Sequence, residues 1–532
     1  MSTIHPLPES DPEAFGATSR RSASERNGLL IPELEAVVPT DVLRLLPAEF
    51  AKQNNALPLS VREGVLRVAL GDPAEREASR VIEDVRLLTG LEVGLVRYPA
   101  EAVRERVGEC YQVTVERMLE NLDADGGAVV EGKNLHDIEV MANEPTVINL
   151  VNVILATALR ERASDVHLVP YEEAIELRYR SDGLLQVQPP PPKHLHAALV
   201  SRVKIMADMN IAERFMPQDG HIQIHHRGHR VDIRVGTMPT KYGESLVMRL
   251  LEKGSRVLTL EELGLDVERV KLMQRLVEKP HGLFLATGPT GSGKTTTLYS
   301  ILQSIFTTEK KIITIEDPIE YELAGVAQIP VRPSRNFTFA NGLRAILRQD
   351  PDIVMVGEIR DSETAEIAIR AALTGHQVFS TLHTNDATGA VTRLLDMGVE
   401  AFLISSSLDG VLAQRLVRRL CPACRVEAAI TSAVRERMET LSGRPLVDAY
   451  YTGAGCEECR GTGYRGRVGI YELLAISTEL RELILHKQSN AELKAVAQRT
   501  MLTMHQDGLR KAAAGMTSLE EILRVSSGDL LE

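Results

Sequence analysis

Eight consecutive residues, Gly288-Pro289-Thr290-Gly291-Ser292-Gly293-Lys294-Thr295, fit the phosphate-binding pattern G-x-x-x-x-G-K-[ST] without departure. The glycines let backbone N–H groups turn inward around a phosphate chain, and a helix beginning at the loop points its positive end at it. Lys294 then reaches the β- and γ-phosphates of ATP, and the Thr295 hydroxyl binds magnesium. Thr296, next in line, joins the nucleotide-contacting set. The flanks supply the context. Leu283-Phe284-Leu285-Ala286-Thr287 reads as a short buried strand, and Leu298, Ile301, Leu302 and Ile305 have helical spacing. Strand, glycine loop and helix in that order turn a pattern into a mechanism.

Hydrolysis also needs a group to orient water and an acid near the metal. Three more apolar runs end in polar or charged residues: Ile312 to Tyr321, Asp350 to Arg360, and Gly375 to Thr384. Ligands bind at the carboxyl ends of parallel strands, so these runs are expected to bring their ionisable groups to one edge. Glu358, after four apolar residues and Gly357, is the best candidate for the Walker B carboxylate, although that position is usually Asp. Glu316, Asp317 and Glu320 are candidates for magnesium or water positioning. His376 and His383 bracket one strand and, seven residues apart, fall on opposite faces of a regular strand, so at least one can be structural.

Four of the five cysteines form Cys421-Pro422-Ala423-Cys424 and Cys456-Glu457-Glu458-Cys459, with 31 residues between the pairs. Two C-x-x-C pairs beside Gly453, Gly455, Gly461 and Gly463 read as a tetrahedral thiolate site for structural zinc. No open position is evident, so no catalysis is assigned to it. Cys110 stands alone and reads as a small buried hydrophobe.

The 532 residues are enough for three or four domains, with 44% hydrophobic and 25% charged residues, as in ordinary globular protein. No apolar run is long enough to span a bilayer, and Met1 to Asn27 carries no apolar signal core, which predicts a cytoplasmic protein. A net charge of -12, no Trp and 4% aromatics argue against a nucleic-acid partner. The chain divides into a polar, disordered tail (1–28), a small α/β domain (29–120) and an acidic, glycine-bearing linker (121–142). A second domain (143–254) and an alternating α/β domain (255–532) follow, the latter including the zinc element (419–470). In the second domain, Val147 to Leu159 reads as a helix, Val166–Val169 and Ile175–Arg180 as strands, and the runs on either side of Arg227-Gly228 as a hairpin. Arg214, Arg230, Arg234 and Arg249 also lie there; on residue type alone they read as surface ion pairs.

Together these segments resemble the GspE/PilB secretion ATPases, hexameric cytoplasmic motors of type II secretion systems and type IV pili. The resemblance runs from about Asn143 to the C-terminus. Ala163-Ser164-Asp165-Val166-His167, Tyr179-Arg180-Ser181-Asp182-Gly183 and Pro217-Gln218-Asp219-Gly220 match the family's second, PAS-like domain, with His221 where the family often has Arg. Gly288 to Thr295 corresponds to the Walker A loop of a RecA-like domain. Thr314 to Tyr321 corresponds to its Asp box, Asp352 to Glu358 to its Walker B, which ends in Gly-Glu, and Gly375 to Thr384 to its His box. The resemblance implies catalytic roles for Glu358, Glu316, Lys294 and His383. It places Arg214, Arg230 and Arg234 where the family's arginines reach the nucleotide from the preceding domain. It also implies a zinc-bearing tetracysteine element, which the retraction motors lack. The first domain resembles the family loosely, at Leu46 to Ala51 and Leu57-Pro58-Leu59, and docks on a bitopic inner-membrane protein in the secretion motors.

The reading is a homohexameric Mg-ATP hydrolase that drives pseudopilus assembly against an inner-membrane platform. The alternative is a pilus extension motor. A nucleic-acid translocase and a non-hydrolysing sensor are rivals, opposed by the acidic balance and by the full set of catalytic side chains. No glycine-and-arginine nucleotide repeat is evident in the first domain, so no cyclic-dinucleotide binding is expected there.

Overall fold

A computed structural model describes residues 38–526, apart from 39, 44, 63, 73–74, 111–134, 227–228, 254–255 and 447–449. The expected tail (1–28), most of the expected linker and the Arg227-Gly228 turn lie outside the described residues. The chain forms two compact units, Met1–Ala128 and Val129–Glu532.

The first unit holds a three-stranded sheet. Ala56–Arg62 pairs antiparallel with Val65–Gly71, which pairs in parallel with Glu92–Tyr98. The parallel pair needs a crossover, supplied by the helix Glu75–Thr89. Cys110 ends the helix Ala100–Cys110 and packs half-buried against this unit's core.

In the second unit the segment read as linker does not run to 142. Leu135–Ala142 is a helix, with Ile138 and Ala142 buried. Its apolar residues are too few and too short a run to register as periodic in sequence. The helices Pro145–Arg160 and His196–Met206 pack on one face of a six-stranded antiparallel sheet. Its strand order is Leu184–Gln188, Ile175–Ser181, Ala163–Pro170, Gly243–Lys253, His229–Thr240 and Gln218–His226. Buried and half-buried residues alternate along Ile175–Tyr179, the period of a strand packed on one face. Asp182 and Gly183 take positive φ (49° and 86°), which makes the turn expected there.

The larger sheet has seven strands, in the order Ala327–Pro330, Ile312–Glu316, Ile353–Val356, Gln377–Leu382, Gly282–Thr287, Leu408–Leu420 and Tyr464–Ala475. The first six are parallel and the last is antiparallel to its neighbour. Every residue of Gly282–Thr287 and Gln377–Leu382 is buried, because helices cover both faces. Zinc-element residues 421–463 sit at the tip of the hairpin between Leu420 and Tyr464.

One buried ionic cluster joins three parts of this domain. The Asp507 carboxylate accepts from Arg269 at the start of one helix, from Lys511 (2.7 Å) on its own helix, and from the backbone N–H of Tyr471 (2.9 Å). Asp507 is 1% exposed. Removing one partner strands buried charge, so Asp507→Ala is expected to cost about 3–5 kcal/mol. Breaking the exposed Arg370–Glu366 pair with Arg370→Ala is expected to cost below about 0.5 kcal/mol. Urea unfolding midpoints of the two variants check the contrast.

Candidate nucleotide and metal sites

The parallel register puts four strand ends side by side. Thr287 aligns with Leu382, Val356 with Ser380, and Ile315 with Val356. The residues that follow each strand therefore share one edge: the phosphate loop, the Asp box, Glu358 and His383. Side-chain hydroxyls stitch the edge together. Thr287 Oγ1 lies 2.6 Å from Thr384 Oγ1 and accepts from the Thr384 N–H, and Thr381 Oγ1 donates to the Gly357 carbonyl at 2.7 Å.

The loop itself is braced from the neighbouring strand. Gln414 Nε2 donates to the Ser292 carbonyl at 2.7 Å, and its own backbone carbonyl fills the space beside Gly288. A Cβ on Gly288, at φ 148°, would stand 2.4 Å from that carbonyl. Gly293, in the left-handed region at φ 89°, starts the helix Lys294–Ile305. Lys294 Nζ folds over the loop and donates to the carbonyls of Gly288 (2.8 Å) and Pro289 (3.1 Å). Burial pulls its pKa below the ordinary lysine value, against the opposing charge of Glu358. Thr295 and Thr296 fall in the first turn of that helix, half-buried, and Pro289, Thr290 and Gly291 form the exposed crest.

Glu358 is gripped from two sides. Arg360 donates to one oxygen, and His383 Nε2 lies 3.4 Å from the other. Partial burial works against ionisation, but the Arg360 hydrogen bond and charge, with His383, outweigh it. The carboxyl is held below its usual range. Arg360 extends the cluster to Asp317 at 3.6 Å.

Arg234 crosses from the six-stranded sheet to this edge. Its guanidinium donates to the Ile319 carbonyl at 2.9 Å and pairs with Glu320 at 3.3 Å. Arg230 instead pairs within its own strand, with Asp232 at 3.5 Å. Arg214 keeps one buried guanidinium nitrogen without a partner, and Arg249 pairs with Asp165 at 2.9 Å. Among the described residues, Arg234 is the one of Arg214, Arg230 and Arg234 that bonds the ATPase domain. His221, opposite Arg234 in the hairpin, is exposed and lies 3.8 Å from Asp232.

One expectation changes. Glu316, read as catalytic, is 3% exposed and its carboxylate accepts from Tyr299, Thr314 (2.5 Å) and Gln328 (3.1 Å). Three protein donors and near-complete burial turn this carboxylate inward, away from the open edge. Asp352 precedes its strand, Ile353–Val356, and accepts from the Lys311 N–H at 2.7 Å. His376 lies at the opposite, amino end of its strand, with Nδ1 3.0 Å from the Ala371 carbonyl. Sequence reasoning gave no role to Arg360, Gln414, Thr287 or Thr384. Arg360 had a signal, two residues after Glu358; Gln414, 120 residues from Lys294, had none.

The four cysteines converge. Their sulfurs all lie within 4.8 Å of one another, and the pairs Cys421–Cys456, Cys424–Cys459 and Cys456–Cys459 are 3.8, 3.7 and 3.7 Å apart. A tetrahedron with metal–sulfur bonds of about 2.3 Å has edges of about 3.8 Å, so the donor set fits zinc. Such separations are far too long for disulfides. The N–H groups of Cys456 and Gly463 both donate to Cys459 Sγ at 3.2 Å. Burial raises the Cys459 pKa, but these bonds prevail and hold it below the ordinary thiol value. Gly453 and Gly463 meet backbone to backbone, with no room for a side chain on either.

Gly288→Ala is expected to displace the loop against Gln414 and abolish ATP binding while the fold persists. Calorimetric titration with ATP, alongside circular dichroism, checks this; binding within about threefold of wild type would contradict the steric account.

Comparison with known proteins places the chain. A family model described as type II/IV secretion system protein matches residues 141–524, and a second, described as MshEN domain, matches residues 28–117. The type II secretion system protein E of Xanthomonas campestris pv. campestris is 44% identical over 486 residues, spanning 90% of this chain and 84% of its own. The type II secretion system ATPase E of Vibrio cholerae is 47% identical over 414 residues, 77% of this chain and 82% of that one. The type IV pilus assembly ATPase PilB of Myxococcus xanthus is 42% identical over 510 residues, 92% and 88% of the two chains. Among solved structures, the Legionella pneumophila ATPase DotB shares the fold, with TM-score 0.53 and 22% identity over 73% of this chain and 98% of its own. With a phosphate loop, a gripped Glu358 and a match over residues 141–524, the chain belongs to the type II/IV secretion system protein family.

Proposed function

We propose that this protein hydrolyses Mg-ATP to drive pseudopilus assembly and protein export in a type II secretion system. The observation that carries the reading is the single edge that joins the phosphate loop, the Glu358–His383 pair and Arg234 from the preceding domain. The relatives named type II secretion system protein E and ATPase E support the choice of system. A second reading, a motor for type IV pilus assembly, is favoured by the Myxococcus xanthus relative. Co-purification with a secretion platform rather than a pilus platform separates the two.

In this mechanism the loop N–H groups and Lys294 bind the phosphates. Thr295 would hold magnesium, which supplies charge neutralisation at the β- and γ-phosphates. Lys294 exchanges its contacts to loop carbonyls for phosphate oxygens. Glu358, ionised, orients the attacking water and accepts its proton, and His383 keeps that carboxylate in place. Glu316 acts at one remove, fixing the Asp-box strand against Tyr299 of the loop helix. Arg234 offers positive charge from the second domain, so nucleotide binding favours a closed arrangement of the two domains. Cys421, Cys424, Cys456 and Cys459 would hold a structural zinc. Arg214 and Arg230 are assigned to a neighbouring subunit's nucleotide within a homohexamer. The ring works at the cytoplasmic face of the inner membrane, on a platform protein and a bitopic partner, without nucleic acid. Among the described residues no helix is long and apolar enough to cross a membrane.

Glu358→Gln is expected to lower ATP turnover by about 10²–10⁴-fold with ATP binding retained. Steady-state hydrolysis with light scattering on the same samples tests chemistry and ring formation together; equal turnover in both proteins would remove Glu358 from the mechanism. The pH dependence follows from the depressed Glu358 pKa. Its carboxylate stays charged down to pH values below the ordinary 4.5, so no acid loss of activity from this group is expected above that value. Arg360→Ala removes the larger pull toward ionisation and leaves burial in place, so the acid limb of the pH–rate profile should move upward.

A further inference from the structure

The tetracysteine element touches the second domain, and the contacts are specific. Arg460 follows Cys459 directly and takes the left-handed conformation, φ 54°. The knuckle sets that conformation: the N–H of Arg460 donates to the Glu457 carbonyl, and the N–H of Gly461 donates to the Cys456 carbonyl at 2.9 Å. So directed, the Arg460 guanidinium reaches the carboxyl end of the helix Pro145–Arg160. It lies 3.2 Å from the Glu161 carboxylate and 3.5 Å from the Arg160 carbonyl. A cation at a helix C-terminus is favourably placed, and Glu161 adds a full opposite charge. Glu161 is 13% exposed and also accepts from Gln188 at 3.5 Å. Nearby, the turn residue Asp182 accepts from the backbone N–H of Gly466 at 2.9 Å.

Gly466 is the third residue of the strand Tyr464–Ala475, which leads into the ATP domain. Five residues on, Tyr471 donates its N–H to the buried Asp507 and its hydroxyl to the Leu263 carbonyl at 3.0 Å. Tyr471 is the ladder partner of Gln414, which braces the phosphate loop, so the latch and the loop are joined through adjacent strands. At the other side of the same second domain, Arg234 meets the Asp box.

We infer that the zinc knuckle is an interdomain latch, in which Arg460 and Asp182 are positioning residues that hold the second domain where Arg234 can serve the nucleotide. The inference rests on the ATPase reading above and adds a role for the metal element within it. Without the latch the second domain samples arrangements in which Arg234 is withdrawn, and the nucleotide must bear the cost of re-ordering it. The loss then falls on KM for ATP rather than on kcat.

The test is charge reversal and its rescue in the full chain. Arg460→Glu and Glu161→Arg are each expected to raise KM for ATP about three- to tenfold with kcat within about twofold, and the double variant to return most of the way to wild type. Zinc content, measured by atomic absorption, should equal that of wild type in all three, so that a broken knuckle is not mistaken for a broken latch. Amide exchange supplies a readout independent of turnover: the Gly466 N–H should exchange faster in Arg460→Glu and in Asp182→Ala, and be protected again in the double charge reversal. Unchanged KM in the single variants, or a double variant no better than either, overturns the latch. If wild type itself hydrolyses no ATP, the ATPase reading fails instead, and unchanged exchange at Gly466 in Arg460→Glu overturns the latch separately.

Discussion

The parallel pairing of Gly282–Thr287 with Gln377–Leu382 is the constraint on which the rest depends. Parallel strands finish at the same edge, and here that edge receives the phosphate loop from one strand and His383 from the next. The third strand, Ile353–Val356, pairs in register with the second and delivers Glu358 to the same place. A shift of one residue in either ladder would exchange the two packed faces of the strand and move Glu358 from His383. The Thr287–Thr384 and Thr381–Gly357 hydrogen bonds reinforce this register at the end where strand pairing stops.

At that edge the acidic groups are paired within the protein. Glu358 is paired with Arg360 and His383, Asp317 with Arg360, and Glu320 with Arg234. Each acid has a protein cation, and Lys294 is satisfied by loop carbonyls. A triphosphate with its metal would compete for the same partners. Binding then exchanges one set of ion pairs for another rather than creating charge contacts in empty space. This is how nucleotide state can be read by two domains joined through a few side chains.

The zinc element and the buried Asp507 cluster serve the same end by different physics. The Asp507 carboxylate, with Arg269 and Lys511, locks Tyr471 from inside the domain, where desolvated charge makes partial disruption costly. The knuckle acts from outside. Its tight turn holds Arg460 in a conformation that an unsupported chain rarely adopts, and so gives direction to a long, flexible side chain.

Much of the nucleotide site was legible in the chain because its parts are local. A glycine loop between an apolar strand and a helical repeat can be recognised in about twenty residues, and two C-x-x-C pairs announce a thiolate site by chemistry alone. Glu358 and His383 were legible as polar residues ending apolar runs. What residue order could not settle was depth. Glu316 and Glu358 look alike in sequence, yet the first is enclosed by Tyr299 and Gln328 and the second faces the open edge. His376 and His383 bracket the same strand, and only its direction in the sheet tells which one meets Glu358. Arg234 was separated from Arg214 and Arg230 by its two contacts to the Asp box. Gln414 and Arg460 were invisible because their partners, Ser292 and Glu161, lie 122 and 299 residues away in sequence. Local pattern determined which chemistry the chain carries; the packing of distant segments decided which side chains perform it, because burial and charge pairing are properties of neighbours in space.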